Sequence, residues 1–315
     1  MKTQQIAGTQ LVTTRLAHGG MRLFEAGRPP KKPTRDQGDR GIESCVAAYE
    51  AGYRLFDTAD VYGRGGCEKI FGEALKRVEG FRDNVLIATK CGIRHAQEPV
   101  PEAPQRFDFA ADHILASCEG SLKRLGIDTI DIYQLHRPDA LGDPHEVAAA
   151  LDKLKQQGKV RHFGVSNFLP SQVTMLQRWL NAPLLVNQVK IHLMHLACFE
   201  DGTLDQCLEK QITPLAWSPL ASGLLGDNAT VPPDHPARAI LEEVLSTLDS
   251  IAGSYGVSRS IIALAWLLKH PARIIPIVGS VNPQHIRDAA KADDIDLTRE
   301  QWYQLYVAAR GEPMP

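Results

Sequence analysis

Short runs of apolar, often β-branched residues alternate with amphipathic stretches along almost the whole chain. The runs that predict strands are YRLFDTA (53–59), NVLIATK (84–90), TIDIYQLH (129–136), VRHFGVS (160–166), PLLVNQV (183–189), TPLAWS (213–218) and RIIPIVG (273–279). They are nearly continuously apolar, which suits parallel strands covered on both faces. Between them lie helix patterns. CEKIFGEALKRV (67–78) puts Ile70, Phe71, Ala74 and Leu75 on one face, and DHILASCEGSLKRLG (112–126) does the same with Ile114, Leu115, Cys118, Leu122 and Leu125. PHEVAAALDKLKQQG (144–158) opens on Pro and ends on Gly, and TREQWYQLYVAAR (298–310) opens on a T-x-x-Q capping box.

A first strand near 16–23 and a helix at 39–51 complete eight strand–helix units with no linker or low-complexity break. The prediction is therefore a single α/β domain over residues 1–315, a closed (β/α)8 TIM barrel with a C-terminal extra helix. An open doubly wound sheet is disfavoured because no G-x-G-x-x-G follows the first strand.

Composition narrows the function classes. The chain has 315 residues, 43% apolar and 23% charged, with net charge −2, the profile of an ordinary globular protein. Without a basic surplus, nucleic-acid binding has no electrostatic support. The longest apolar run, IIALAWLL (261–268), is too short to span a bilayer, and the N-terminus lacks the apolar core of a secretory signal. Six cysteines without a C-x-x-C pair read as reduced thiols of a cytoplasmic protein. A monomer or weak homo-oligomer acting on a small molecule is expected.

Barrel enzymes carry their chemistry at the C-terminal ends of the strands. There the chain places Asp57 with Tyr62 in the following loop, Lys90, and His136 followed by Arg137. Each alone has an ordinary structural reading, such as a cap or a solvated lysine; their convergence on neighbouring strand ends favours chemistry. A lysine ammonium beside a phenol is expected to lower the phenol pKa by roughly one to three units. Asp57 is expected to pair with Lys90, and His136 to hydrogen-bond a substrate carbonyl. Such a set suits protonation of an oxygen while hydride reaches carbon. Asp60 reads as a turn or cap residue.

GYRLFDTADVYG (52–63) and SLKRLGIDTIDIYQLHRPD (121–139), followed in order by GVSNF, NQV and AWSPL, with ATKCG between the first two, resemble the signatures of the aldo-keto reductases. GKVRHFGVSNF, DGTLDQ and IPIVGS resemble a bacterial YdhF-like subgroup of oxidoreductases. The resemblance implies reduction of an aldehyde or ketone, reversibly, by a catalytic tetrad of Asp57, Tyr62 as proton donor, Lys90 and His136. It implies that Ser166, Asn167 and Gln188 bind the nicotinamide carboxamide and that Trp217 stacks on the ring. Ser218, Leu220 and Gly223 would follow the pyrophosphate, and Gly279 and Ser280 would meet the adenosine phosphate at a helix start. Many relatives have Lys at the position of Gly279 and Arg at that of His285; Arg287 lies two positions further on. NADP(H) is the implied cofactor, NAD(H) the lesser choice.

Alternatives are a Schiff-base aldolase using Lys90 and a nucleotide-binding redox sensor with little turnover. HLMH (192–195) lacks the spacing of a zinc site, and no metal is expected. The loop 91–109 is expected to wall the substrate pocket, its Arg94, His95 and Arg106 hinting at polar or anionic substrates. Segment 226–237 is expected to be a mobile cover over the cofactor. Substrate choice is expected to rest on the loops after strands 1, 3 and 6 to 7 and on the tail 310–315.

Overall fold

Eight strands close into a parallel barrel: β1 Ala17–Gly19, β2 Leu55–Asp57, β3 Leu86–Cys91, β4 Ile130–Leu135, β5 Val160–Ser166, β6 Leu184–Lys190, β7 Thr213–Trp217 and β8 Ile275–Val278. The structure, a computed structural model, describes residues 1–24 and 34–314. The loop after β1 (25–33), expected to help set substrate choice, lies outside the described residues, as does residue 315 of the tail. Closure is through β8 and β1, where Ile277 partners Ala17 and Val278 partners His18.

The two-residue period of each strand divides its side chains between two cores. Leu55, Ala88, Ile132, Val186, Leu215, Ile275 and Ile277 fill the barrel interior. Tyr133, Leu135, Phe163 and Val165 point outward to the helices. This double burial is why the strands read as unbroken apolar runs.

The helices are α1 Arg35–Glu50, α2 Gly66–Leu75, α3 Ala111–Leu125, α4 Pro144–Gln156, α5 Pro170–Gln177, α6 Thr203–Lys210, α7 Arg238–Tyr255, α8 Arg259–Leu268, α9 Pro283–Ala290 and α10 Arg299–Arg310. The capping box of α10 is formed: Thr298 Oγ accepts from Gln301 N (3.2 Å), and Thr298 N donates to Gln301 Oε1 (3.0 Å). A second box, Thr34 with Gln37, starts α1 earlier than its apolar pattern suggested, because the first turn is polar.

Two features go beyond the expected eight units and one C-terminal helix. The first is α7, a second added helix, whose Leu241, Val244, Leu245 and Leu248 share a core with Leu305 and Tyr306 of α10. Beside them Trp266 and Trp302 stack at 5.1 Å, each indole N–H donating to the other's backbone carbonyl. Among the described residues no single helix is long and apolar enough to cross a membrane; α7 and α8 pass that test only as a pair bent by 93°. The second feature is an N-terminal hairpin, Thr3–Gln5 with Val12–Thr14. It brings fully buried Ile6 into the interior core, and Ala7 N donates to Thr213 Oγ at the start of β7. The N-terminal end of the barrel is thereby plugged, and the polar residues gather at the opposite rim.

Candidate active site

Asp57 ends β2 with its side chain turned inward, 4% exposed, and Lys90 on β3 is completely buried beside it. A lysine with no access to water must satisfy its three protons internally. Its Nζ donates to Asp57 Oδ2 at 2.7 Å, to the Thr58 carbonyl at 2.8 Å and to the Tyr62 hydroxyl at 3.4 Å. The other carboxylate oxygen, Asp57 Oδ1, accepts from Gln188 Nε2 (2.7 Å) and Gln134 Nε2 (3.2 Å). Gln134 is a site residue the sequence reading missed. Its signal was the strand period, since it lies two residues before His136 and so on the same inner face.

Tyr62 opens a short 3-10 turn, Tyr62–Gly65, in which Gly63 has φ 54°. A Cβ at Gly63 would come within 2.8 Å of the Phe24 ring and 2.9 Å of its carbonyl, so only glycine fits the bend. The bend carries the phenol back over Lys90, whose Nζ lies 4.9 Å from the ring centroid. His136 stands edge-on to that ring at 5.6 Å. All four tetrad positions therefore meet at one place.

The electrostatics differ from expectation at Tyr62. Burial raises its pKa, and although the Lys90 charge opposes this, the Asp57 charge adds to it and the net direction is upward. The expected lowering by lysine alone is thus corrected: desolvation of a buried phenolate outweighs the ammonium. The consequence is a phenol held protonated. Burial alone would push the Lys90 ammonium toward neutrality, yet Asp57 and Tyr62 hold its pKa above the ordinary lysine value. Burial, then the charges of Lys90 and Arg137, holds His136 well below the ordinary imidazole range, so the ring is neutral.

The residues assigned to the nicotinamide form a continuous chain joined to the tetrad. Ser166 Oγ donates to the Gln188 carbonyl (2.9 Å), Asn167 Nδ2 donates to Ser166 Oγ (2.7 Å), and Trp217 Nε1 donates to Asn167 Oδ1 (2.9 Å). Asn167 adopts φ 61°, a conformation asparagine tolerates, and also reaches the His136 carbonyl at 3.3 Å. Gln188 Nε2 is committed to Asp57, which leaves Oε1 as its free acceptor. That acceptor and the half-buried indole suit a planar carboxamide-bearing ring.

Ser218, Leu220 and Gly223 line a tight loop after β7, with left-handed φ at Ser218 (51°) and Gly223 (108°). Gly223 N donates to the Leu220 carbonyl at 2.9 Å. This loop makes no hydrogen bond to the tetrad, and neither do Gly279 and Ser280 beyond β8. A Cβ on Gly279 would meet nothing within 4 Å. On α9, His285 and Arg287 are both exposed and flank buried Ile286. Two residues apart on a helix is about 200°, so Arg287 lies on the opposite flank from His285.

The loop after β3 folds as a hairpin, Ile93–Arg94 against Arg106–Phe107. Its basic residues are used internally: Arg94 and Arg106 pair with Asp108, Arg106 also donates to the Glu98 carbonyl, and Glu98 pairs with Arg64 beside Tyr62. In the segment after the β7 loop, Asp227 Oδ1 accepts from Ser260 N at 2.8 Å, tying its first part to α8. HLMH forms a tight turn in which His195 N donates to the His192 carbonyl at 2.7 Å.

Comparison with known proteins identifies the family. Residues 15–308 match the aldo/keto reductase family. A 6-dehydroglucose reductase of Novosphingobium aromaticivorans is 37% identical over 318 residues, covering 99% of this chain and 97% of that protein. Oxidoreductase YdhF of Escherichia coli is 39% identical over 266 residues, covering 84% and 86%. A thermostable aldo-keto reductase solved with the inhibitor epalrestat has a TM-score of 0.83 at 27% identity, covering 98% of this chain and all of that one. A Klebsiella pneumoniae aldo/keto reductase solved with NADP and acetate has a TM-score of 0.79 at 25% identity, covering 100% and 97%. With the family match spanning residues 15–308 and one barrel shared along nearly its whole length, this chain belongs to the aldo/keto reductase family of oxidoreductases.

Proposed function

We propose that the protein is a cytoplasmic, single-domain reductase that converts aldehydes or ketones to alcohols with NADPH, and runs in reverse with alcohols. The observation that carries this is Lys90, a buried ammonium shared between Asp57 and the Tyr62 hydroxyl. Bound nicotinamide supplies the hydride. Neutral His136 donates a hydrogen bond to the substrate oxygen and aims it at Tyr62. Tyr62 gives its proton to that oxygen, and Lys90 stabilises the phenolate left behind. Because the ammonium acts more strongly on phenolate than on phenol, it lowers the barrier rather than merely tightening binding.

Ser166, Asn167 and Gln188 would hold the carboxamide, with Trp217 against the ring. Ser218, Leu220 and Gly223 would follow the pyrophosphate, and Gly279, Ser280 and the start of α9 the adenosine end. NADPH is preferred over NADH on the strength of the NADP complex of the Klebsiella pneumoniae relative. The usual basic grip on the 2′-phosphate is missing here, with Gly279 and His285 in its place, so the preference is expected to be modest.

The pairing that supports a reductase counts against a Schiff-base aldolase, since an ammonium held by Asp57 has no lone pair to attack a carbonyl. The test is NADPH oxidation across a panel of aldehydes, ketones, dicarbonyls and sugars, repeated with NADH. Because the Novosphingobium relative is a 6-dehydroglucose reductase, a sugar aldehyde belongs in that panel. Turnover on no member would reject the enzyme reading in favour of a nucleotide-binding sensor.

A further inference from the structure

Arg137, directly after His136, and Lys190, the last residue of β6, converge on one indole. The Arg137 guanidinium carbon lies 5.7 Å and Lys190 Nζ 5.6 Å from the Trp217 ring centroid. Lys190 is also the register partner of Trp217 across the β6–β7 ladder. We propose that Arg137 and Lys190 form an oxyanion seat over Trp217, and that the favoured carbonyl substrates carry a carboxylate or phosphate close to the reacting group. The proposal rests on the reductase reading above and names its substrate class.

The reason is an imbalance of charge. Several other partly buried arginines are matched by acids: Arg15 by Asp293 (3.0 Å), Arg82 by Asp131 (2.8 Å), Arg94 by Asp108 and Arg124 by Glu68 (2.6 Å). Arg54, which has no acid, is satisfied instead by the Tyr49 and Tyr53 carbonyls (3.0 and 2.8 Å). Among the described residues, Arg137 and Lys190 take part in no ion pair, although both are partly withdrawn from water. A partly desolvated cation without a counter-ion is costly, and two on one ring also repel each other.

Among the described residues, no acid nearby cancels them. Asp57 is already matched by Lys90. Asp139, two residues beyond Arg137, accepts from Phe109 N (2.8 Å) and Leu141 N (3.0 Å). His136, His192 and His195 are held toward neutrality, first by burial and then by these cations and their neighbours. The arginines of the β3 loop, which first hinted at polar or anionic substrates, are both paired with Asp108. The unmatched positive charge sits instead beside His136, where the substrate oxygen is to be held. A planar guanidinium can take two oxygens of a carboxylate or phosphate at once, and the ammonium adds a point charge.

The test is steady-state kinetics of the NADPH-loaded enzyme on matched pairs: succinic semialdehyde against its methyl ester, and glyceraldehyde 3-phosphate against glyceraldehyde. A charge-assisted contact predicts that kcat/KM favours the anionic member of at least one pair roughly tenfold or more. The preference should weaken as salt rises. Preference in only one pair assigns that oxyanion. In the double variant R137Q/K190Q the ratio should fall to about one, chiefly through KM, whereas charge-keeping R137K/K190R should retain most of it. Equal kcat/KM for charged and neutral members in the wild type would overturn the proposal. So would an NADPH KM that rises in R137Q/K190Q as much as the substrate KM, since the cations would then serve the cofactor. No oxidation of NADPH by any of the four compounds, with turnover on other members of the wider carbonyl panel, would also overturn the proposal; no turnover on either set would instead overturn the reductase reading itself.

Discussion

Asp57 and Asp131 are both buried carboxylates on the barrel wall, 4% and 0% exposed, and each is matched by positive charge. Asp131 points outward from β4 and is held by Arg82 at 2.8 Å, Arg161 at 2.9 Å and the Ile87 N–H at 2.9 Å. Both of its partners are guanidiniums that never lose a proton, and both reach solvent on their other side. Asp57 points inward and is matched by an ammonium that simultaneously contacts a phenol. The first cluster fastens β3 and β4 to the segments around them. The second holds a proton-bearing group at an open rim. Burial of charge alone therefore does not distinguish the proposed active site; the feature that sets it apart is a cation shared with an exchangeable proton.

The largest effect expected from breaking this comparison is at the rim. Tyr62→Phe removes the proposed proton donor while leaving the Lys90–Asp57 pair in place. It should lower kcat by about 10²–10⁴, while NADPH affinity, read by tryptophan quenching, changes by less than about twofold. Full activity in that variant would remove the mechanism proposed above. On the outer wall the pattern should reverse. Asp131→Ala leaves the Ile87 N–H and two guanidiniums without their acceptor, and should cost about 2–3 kcal/mol in denaturant unfolding. Turnover per folded molecule should be unaffected, and a proportional loss of kcat would show that the two clusters are coupled.

A third carboxyl lies between these extremes. Asp60 donates its backbone N–H to the Lys90 carbonyl (3.1 Å), but its Oδ1 is shielded without a hydrogen-bond partner. Burial, then the neighbouring Glu68, raises its pKa to about 7 against the pull of Arg124. A folded-state pKa above the unfolded value means the folded protein binds the extra proton. Stability should therefore fall as pH rises from about 4 to about 7 and then level off. Asp60→Asn removes that penalty: unfolding free energy should rise by about 1–2 kcal/mol near pH 8, with no gain near pH 4. A gain of equal size at both pH values would assign the effect to something other than ionisation.

The smallest effect concerns the cofactor's far end. Gly279→Lys places a cation where a side chain meets open space, and should tighten NADPH over NADH by roughly three- to tenfold. An equal gain for both nucleotides would mean that the 2′-phosphate does not lie there.

Much of the site was legible because its chemistry stands at strand ends. Asp57, Lys90 and His136 each close or nearly close an apolar run, and the spacing of Tyr62 from Asp57 leaves room for one tight turn. Gln134 was legible in part, since the strand period fixed its inward direction but not its partner. The direction of the Tyr62 pKa was not, because it depends on how fully the phenol is desolvated. Helix α7 had an amphipathic pattern in Leu241, Val244, Leu245 and Leu248, but an eight-unit barrel has no need of it, and only its packing on α10 shows its place. The N-terminal hairpin offered no apolar run at all, its strands being TQQ and VTT.

By itself, then, the sequence determined the alternation of strand and helix, the caps that bound α4 and α10, and the residue types delivered to the rim, since each depends on neighbours within a turn or a strand. Tertiary structure alone decided which charges are matched and which remain open. Arg137, Lys190 and Trp217 come from three strand ends and meet only when the barrel closes. Pairing and desolvation act over a few ångströms of space, whatever the distance along the chain.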